Sequence, residues 1–202
     1  MHVENKLKKI PSYSEELGLD LHKPEDRFLW FLASLLFAKR ISAEIAKKTF
    51  MLFVNQELTT PDKILDVGWD KLVDILDSGG YVRYDFSTAT NILECMKLLK
   101  KKYRGNLDRL HEMALDSKDL ERRLMEFKGF GPTAVNIFLR ELRGIWSKAN
   151  PPPSVIAVKV AECLSIKDVK KFESQLVRIY LEYCKKRRCN TCPVKAFCAK
   201  KT

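Results

Sequence analysis

Phe127-Lys128-Gly129-Phe130-Gly131-Pro132-Thr133-Ala134 interrupts two helical patterns. Leu120, Leu124 and Phe127 recur at helical spacing before it, and Val135, Phe138, Leu139 and Leu142 after it. A helix therefore stops here, the chain turns, and a second helix begins. Gly129 suits a left-handed C-cap, because it has no Cβ to clash there. Pro132 suits the first helical position, where a missing N–H costs nothing. Phe130 is expected to point inward and pin the two helices, and Gly131 to leave the backbone bare. A bare helix start presents free N–H groups and the positive end of the helix dipole, which together accept anions. The Thr133 hydroxyl adds a donor. An ordinary helix corner without a ligand has the same local signature, so the stretch fixes the turn and leaves its ligand open.

The rest of the chain narrows that choice. It has 202 residues, 46% of them hydrophobic, enough for a real core in one large domain or two small ones. The net charge of +11 points to a polyanionic partner, most often nucleic acid, although a lysine-rich surface alone would give the same charge. Met1 to Ile10 is polar and basic, unlike a secretory leader. The most apolar run, Phe28 to Ala38, is too short to span a bilayer. The expectation is a cytoplasmic protein, nucleoid-associated in a prokaryote, with no membrane partner and reduced cysteines.

Along the chain, residues 1 to 22 read as irregular. Pro24 opens a helix whose Phe28 to Phe37 stretch leaves no polar face, so it is expected to be buried all round, at the centre of the fold. Lys39 and Arg40 end it. Ser42 is placed to cap the next helix. Thr60-Pro61-Asp62 starts a helix that stops at Gly68, and Trp69 to Asp77 makes another, ending at Gly79-Gly80. An aromatic, partly charged loop, Tyr81 to Phe86, follows. Ser87 is read as the cap of a long helix closed by Gly105, and Asn106 and Ser117 as caps of the next two. Three prolines, Pro151 to Pro153, make a stiff linker. Ser154 caps a helix through Leu164, and a last helix runs from about Asp168 to Tyr183. No strand pattern is present. The fold class is all-α, with about ten short helices.

Six cysteines are present. Cys95 and Cys163 lie in apolar helical stretches and read as small core residues. The other four form Cys184-x4-Cys189-x2-Cys192-x5-Cys198. Four thiols so close together in a reduced chain imply a metal centre. A four-cysteine zinc site usually uses two short knuckles, and only one Cys-x2-Cys is here. Uneven gaps with Pro193 after a ligand suit an iron–sulfur cluster better, with zinc the alternative. Between the first two ligands sit Lys185, Lys186, Arg187 and Arg188, a basic loop aimed at phosphate.

Hairpin and cysteines in this order resemble endonuclease III and its relatives, the helix-hairpin-helix DNA glycosylases with a C-terminal iron–sulfur cluster. Leu35 to Lys39 resembles the family's central helix and its DNA-facing end, Phe127 to Ala134 its hairpin, Val155 to Val160 the helix after the catalytic aspartate, and Cys184 to Cys198 its cluster loop. The resemblance implies a two-part all-α fold. Residues 23–146 would form a six-helix barrel with the hairpin, and residues 1–22 and 147–202 a helical iron–sulfur domain. It also implies a monomer that binds double-stranded DNA in base-excision repair, with a 4Fe–4S cluster on Cys184, Cys189, Cys192 and Cys198. The DNA contacts would be Lys39, Lys128, Gly129, Phe130, Gly131, Thr133 and the four basic residues Lys185 to Arg188.

Two positions depart from the family. Thr133 stands where bifunctional members carry a Schiff-base lysine, and a hydroxyl forms no imine. Ser154 stands where active members carry an aspartate. The first cluster gap is shorter than the family's, and Lys39 replaces a glutamine that enters DNA. Three functions remain open at this point. An active glycosylase would need displaced groups, an amine from Lys39, Lys128 or Lys159, or a carboxylate from Asp85. A DNA-binding protein without the chemistry would mark lesions or recruit a partner. A redox module would use the cluster alone.

Overall fold

In the computed structural model, which describes residues 2–199, every regular element is helical and no strand occurs among those residues. They contain eleven α-helices, with one π-helical turn and two 3-10 turns near the end. The chain divides into two compact units, Leu19–Pro151, and Met1–Gly18 with Pro152–Thr202.

The larger unit is built round α3 (Pro24–Phe37), preceded in the chain by α1 (Val3–Leu7) and α2 (Tyr13–Glu16) of the smaller unit. Pro24, Glu25 and Asp26 in its first turn favour the start of α3. Trp30, Phe31, Leu32, Leu35 and Leu36 are all buried, as a helix without a polar face requires. The Trp30 indole N–H donates to the Phe138 carbonyl at 3.3 Å. Arg27, also buried, grips Asp108 with two bonds of 2.8 and 2.6 Å, and the Trp146 indole donates to the same carboxylate at 3.0 Å. A buried charge pair is tolerated because its remaining polar valences are filled in this way.

Around α3 lie α4 (Ala43–Asn55), α5 (Pro61–Gly79), α6 (Asp85–Tyr103), α7 (Leu107–Met113), α8 (Ser117–Met125) and α9 (Pro132–Glu141). Ser42, Thr60 and Asn106 cap α4, α5 and α7 by accepting backbone N–H bonds. At Gly68, with φ +79°, α5 breaks into the two helical pieces that the sequence pattern separates.

Two caps differ from the expectation. α6 starts at Asp85, with Tyr84 as its N-cap, and Ser87 lies inside the first turn with its hydroxyl donating to the Tyr84 carbonyl at 3.1 Å. Tyr81 sets this earlier start: it is fully buried and its hydroxyl donates to the Leu36 carbonyl at the end of α3. α8 is capped by Asp116, which accepts from the Asp119 N–H at 2.8 Å, and Ser117 is its first helical residue. A carboxylate is the stronger acceptor at the positive end of a helix.

In the smaller unit α1 and α2 are joined by α10 (Val155–Leu164) and α11 (Glu173–Ile179). The stretch 1–22, expected to be irregular, contains α1 and α2, the latter fixed by a capping box between Ser12 and Glu15. Leu7, Val160, Leu164, Leu176 and Val194 share one apolar core. Arg178 lies over the Tyr13 ring at 4.7 Å and pairs with Glu16 at 3.0 Å and Glu182 at 2.9 Å. The last helix begins at Glu173 rather than near Asp168, because Asp168 accepts the Lys171 N–H at 3.1 Å and holds the chain in a turn. Among the described residues no helix is long and apolar enough to cross a membrane.

Candidate nucleic-acid interface and cysteine centre

Between α8 and α9 the chain reverses in the predicted way. The Phe130 N–H donates to the Phe127 carbonyl at 2.9 Å, and Gly129 sits at φ +79°. That conformation favours glycine, and a Cβ on Gly129 would also lie 2.5 Å from the Asn91 Nδ2 of α6. The Cys95 thiol of α6 donates to the Lys128 carbonyl at 3.3 Å, so α6 grips the turn at two successive residues. Cys95 is a core residue, as expected, and burial first, then Glu94, pushes its thiol up to about 12. Phe130 points inward. It stacks on Phe31 at 4.5 Å between centroids, and Phe127 and Phe138 meet the same ring edge-on at 5.1 and 5.7 Å.

With Phe130 buried, the residues left outside are Lys128, Gly129, Gly131, Pro132 and Thr133. Gly131 is the N-cap of α9 and makes no side-chain cap, and a Cβ there would meet nothing within 4 Å. The Thr133 and Ala134 amides precede the first helical bond, from the Val135 N–H to the Gly131 carbonyl at 3.0 Å. The result is an open backbone edge with the positive end of α9 behind it and the Lys128 ammonium beside it.

Two other residues of this unit are singled out from the sequence. Lys39 is half-buried just beyond the end of α3. Asp85 turns its carboxylate onto its own helix start, accepting the Phe86 N–H at 2.7 Å. Its role in the structure is that of a helix-start acceptor.

In the smaller unit, Ser154 is the N-cap of α10, and its hydroxyl accepts the Ala157 N–H at 3.3 Å. Its own N–H donates to Glu173 Oε1 at 2.8 Å. Glu173 is 1% exposed and comes from the first turn of α11. Together they complete a capping box whose acidic half is supplied by a different helix. Sequence reasoning missed Glu173, since the local signature, an acid three residues after the cap, is absent: Ala157 occupies that place. Lys159 is exposed on the same helix.

α11 continues as a π-helical turn, Tyr180–Cys184, closed by the Lys185 N–H to the Tyr180 carbonyl at 2.8 Å. Arg187 then adopts φ +54°, and the Arg188 N–H returns to the Tyr183 carbonyl at 2.9 Å. These bonds fold the short first gap tightly and leave Lys185, Lys186, Arg187 and Arg188 all exposed. Two 3-10 turns, Cys189–Thr191 and Lys195–Phe197, carry the chain on to Cys198, and the Ala199 N–H ties the end to the Cys163 carbonyl at 2.9 Å.

Cys184, Cys189, Cys192 and Cys198 share one neighbourhood. Burial first, then the charges of Cys192, Cys198, Cys189 and Cys163, raise the Cys184 thiol, and burial followed by Cys198 and Cys189 raises Cys192. Thiolates placed together repel one another, and a bound cation reverses that sign. Among the described residues, however, no three His, Cys, Asp or Glu side chains converge into a group that could hold a metal ion. Four thiols are the donor type that a thiolate-bound metal uses, but these side chains do not form a metal-holding group. Cys163, read from the sequence as a core residue, is only half-buried, and its carbonyl takes the Ala199 N–H just after Cys198. No family model matches this chain, and no curated protein resembles it significantly.

Proposed function

We propose that this protein binds double-stranded DNA as an endonuclease III-like, base-excision type of helix-hairpin-helix protein, holding a 4Fe–4S cluster on Cys184, Cys189, Cys192 and Cys198. In this reading the larger unit is the six-helix barrel and the smaller is the iron–sulfur domain. The observation that carries the reading is the hairpin edge: Gly131 open, Thr133 exposed with its amide uncapped, and Lys128 exposed beside them. A phosphate there would accept backbone N–H bonds along the dipole of α9 while Lys128 supplies charge. The exposed Lys185 to Arg188 run adds further phosphate contacts, and the cluster, when bound, would fix the geometry of that loop.

Recognition rather than bond cleavage is the function we infer. Thr133 has no amine for a Schiff base. Ser154 has no negative charge to stabilise a cationic sugar, and its hydroxyl is engaged in capping α10. The competing reading, a glycosylase that has moved its chemistry to Lys39 or Asp85, gains nothing from Asp85, whose carboxylate serves its own helix start.

The test is duplex binding across a salt series. Replacing Lys185, Lys186, Arg187 and Arg188 with alanine should weaken binding on all sequences alike and flatten the log–log salt slope by about 0.9 for each phosphate no longer neutralised. Unchanged affinity and slope would remove the loop from the interface. Incubation with uracil, thymine-glycol, 8-oxoguanine and abasic-site duplexes, with and without borohydride, should give binding without turnover or trapped adduct. Turnover abolished by Lys39→Ala or Asp85→Asn with binding intact would establish the rewired enzyme instead.

A further inference from the structure

We propose that Trp69 and Phe86, with the aspartates of α5 beside them, form a docking surface for a basic segment of a partner protein, one that sets an apolar side chain among its lysines or arginines. The inference goes beyond duplex binding and stands independently of it. Trp69 opens the second piece of α5 and is 39% exposed, and Phe86, in the first turn of α6, is 60% exposed. Their rings meet at 5.4 Å between centroids. The Trp69 indole N–H donates to the Thr90 hydroxyl at 3.0 Å, and that hydroxyl donates on to the Phe86 carbonyl at 2.9 Å. A chain of bonds from α5 to α6 therefore fixes the pair before anything covers it. Single exposed apolar side chains are ordinary, but two large rings held together at the surface are the kind of rigid anchor on which protein interfaces depend. Val82, in the turn before α6, is exposed as well.

Charge selects the occupant. In a chain of net charge +11, α5 runs the other way: Asp62, Asp66, Asp70, Asp74 and Asp77 outnumber Lys63 and Lys71. Asp62 is paired with Lys100. Asp70, Asp74 and Asp77 recur at helical spacing on one side of α5, are exposed, and make no ion pair among the described residues. Trp69 adjoins Asp70 in the chain. A nucleic-acid strand stacked on these rings would bring its phosphates towards that row, and like charges oppose. A basic protein segment gains from the aspartates and the rings together, while the net charge of the chain disfavours its binding elsewhere. Arg83, the exposed cation of the adjoining turn, leans over the Tyr84 ring at 5.6 Å.

The test is a displayed library of random short peptides, selected on the full chain and depleted on the chain carrying Trp69→Ser with Phe86→Ser. Circular dichroism checks the fold of that variant. If it loses helix content, the chain carrying Asp70→Asn, Asp74→Asn and Asp77→Asn, which leaves the rings in place, becomes the depletion target. Recovered peptides should be net positive and carry an aromatic or aliphatic side chain. Synthesised singly and followed by fluorescence anisotropy, they should lose roughly thirtyfold in affinity on the ring variant, as for a hot-spot residue. On the asparagine variant they should bind more weakly than on wild type, with a flatter dependence on salt. Both variants should bind duplex DNA as wild type does. No enrichment, or enrichment of acidic or uncharged peptides, overturns the proposal. Loss of duplex affinity in the folded ring variant assigns the rings to DNA instead, and a wild-type dimer in sedimentation that the ring variant dissociates assigns them to a second copy of the chain. Either result also overturns it.

Discussion

Between Phe127 and Pro132 the chain hangs on a stack of aromatic rings, with Phe130 against Phe31 at 4.5 Å and α6 gripping the turn from outside. Between Cys184 and Cys198 only Val194 is fully buried, with Cys192, Phe197 and Cys198 packed partly buried on the same core, and the rest of the segment is shaped by single-turn bonds and exposed charge. Both segments present lysine or arginine beside bare backbone, yet they obtain their order from different sources. The hairpin edge is preorganised by burial, so its geometry precedes any ligand. The cysteine loop has too little apolar surface to order itself that way. If the proposed cluster is bound there, closing the thiols would rigidify these turns, and metal and loop order would rise and fall together.

The strongest way to break this contrast is to remove the ring on which the hairpin depends. Phe130→Ala deletes a buried aromatic that meets both Phe31 and Phe138, and should cost about 3–5 kcal/mol of stability. Denaturant unfolding measures it. If the proposed cluster is present, metal content should stay at the wild-type value wherever the variant remains folded. A cost under about 1 kcal/mol would mean that the turn holds itself without the core.

A smaller effect separates backbone strain from crowding. Gly129→Ala forces an L-residue into the left-handed region, which costs about 1–2 kcal/mol, and brings its methyl against Asn91. Combining it with Asn91→Ala relieves the crowding and leaves the backbone cost. The double variant should therefore recover part of the loss, and thermal unfolding of the two single variants and the pair gives the coupling. Strict additivity would show that Asn91 simply moves aside.

These two positions also show what is legible in the sequence. Gly129 and Pro132 announce the turn because their constraints are local, and the apolar run in α3 announces a buried helix because periodicity is local too. The start of α6 falls earlier than its own residues suggest because Tyr81 reports to Leu36 across the core, and no pattern within its segment carries that bond. Glu173 at Ser154, and the Ala199 N–H on the Cys163 carbonyl, are hidden for the same reason. Each is a meeting of segments distant in the chain, invisible to spacing. The π-helical turn is hidden as well, since its i→i−5 bonds leave no residue signature distinct from an α-helix.

The finest test uses the second glycine, where stability and binding should move in opposite directions. Gly131 is the N-cap of α9 in an extended conformation that any residue adopts, with open space where a Cβ would go. Asp at an N-cap is better than glycine by a few tenths of a kcal/mol, and its charge also favours the helix dipole. Gly131→Asp should thus unfold at the same temperature as wild type or slightly higher. Its carboxylate, however, occupies the Thr133 and Ala134 amides and places a negative charge where the phosphate would sit. Duplex affinity should fall, and the salt slope should flatten by about 0.9 if one phosphate is displaced. Gly131→Asn, which caps equally well without charge, should fall between the two, separating occupancy of the amides from repulsion. If all three proteins bind duplex DNA alike, the hairpin edge is a structural corner, and its bare backbone has no anion to hold.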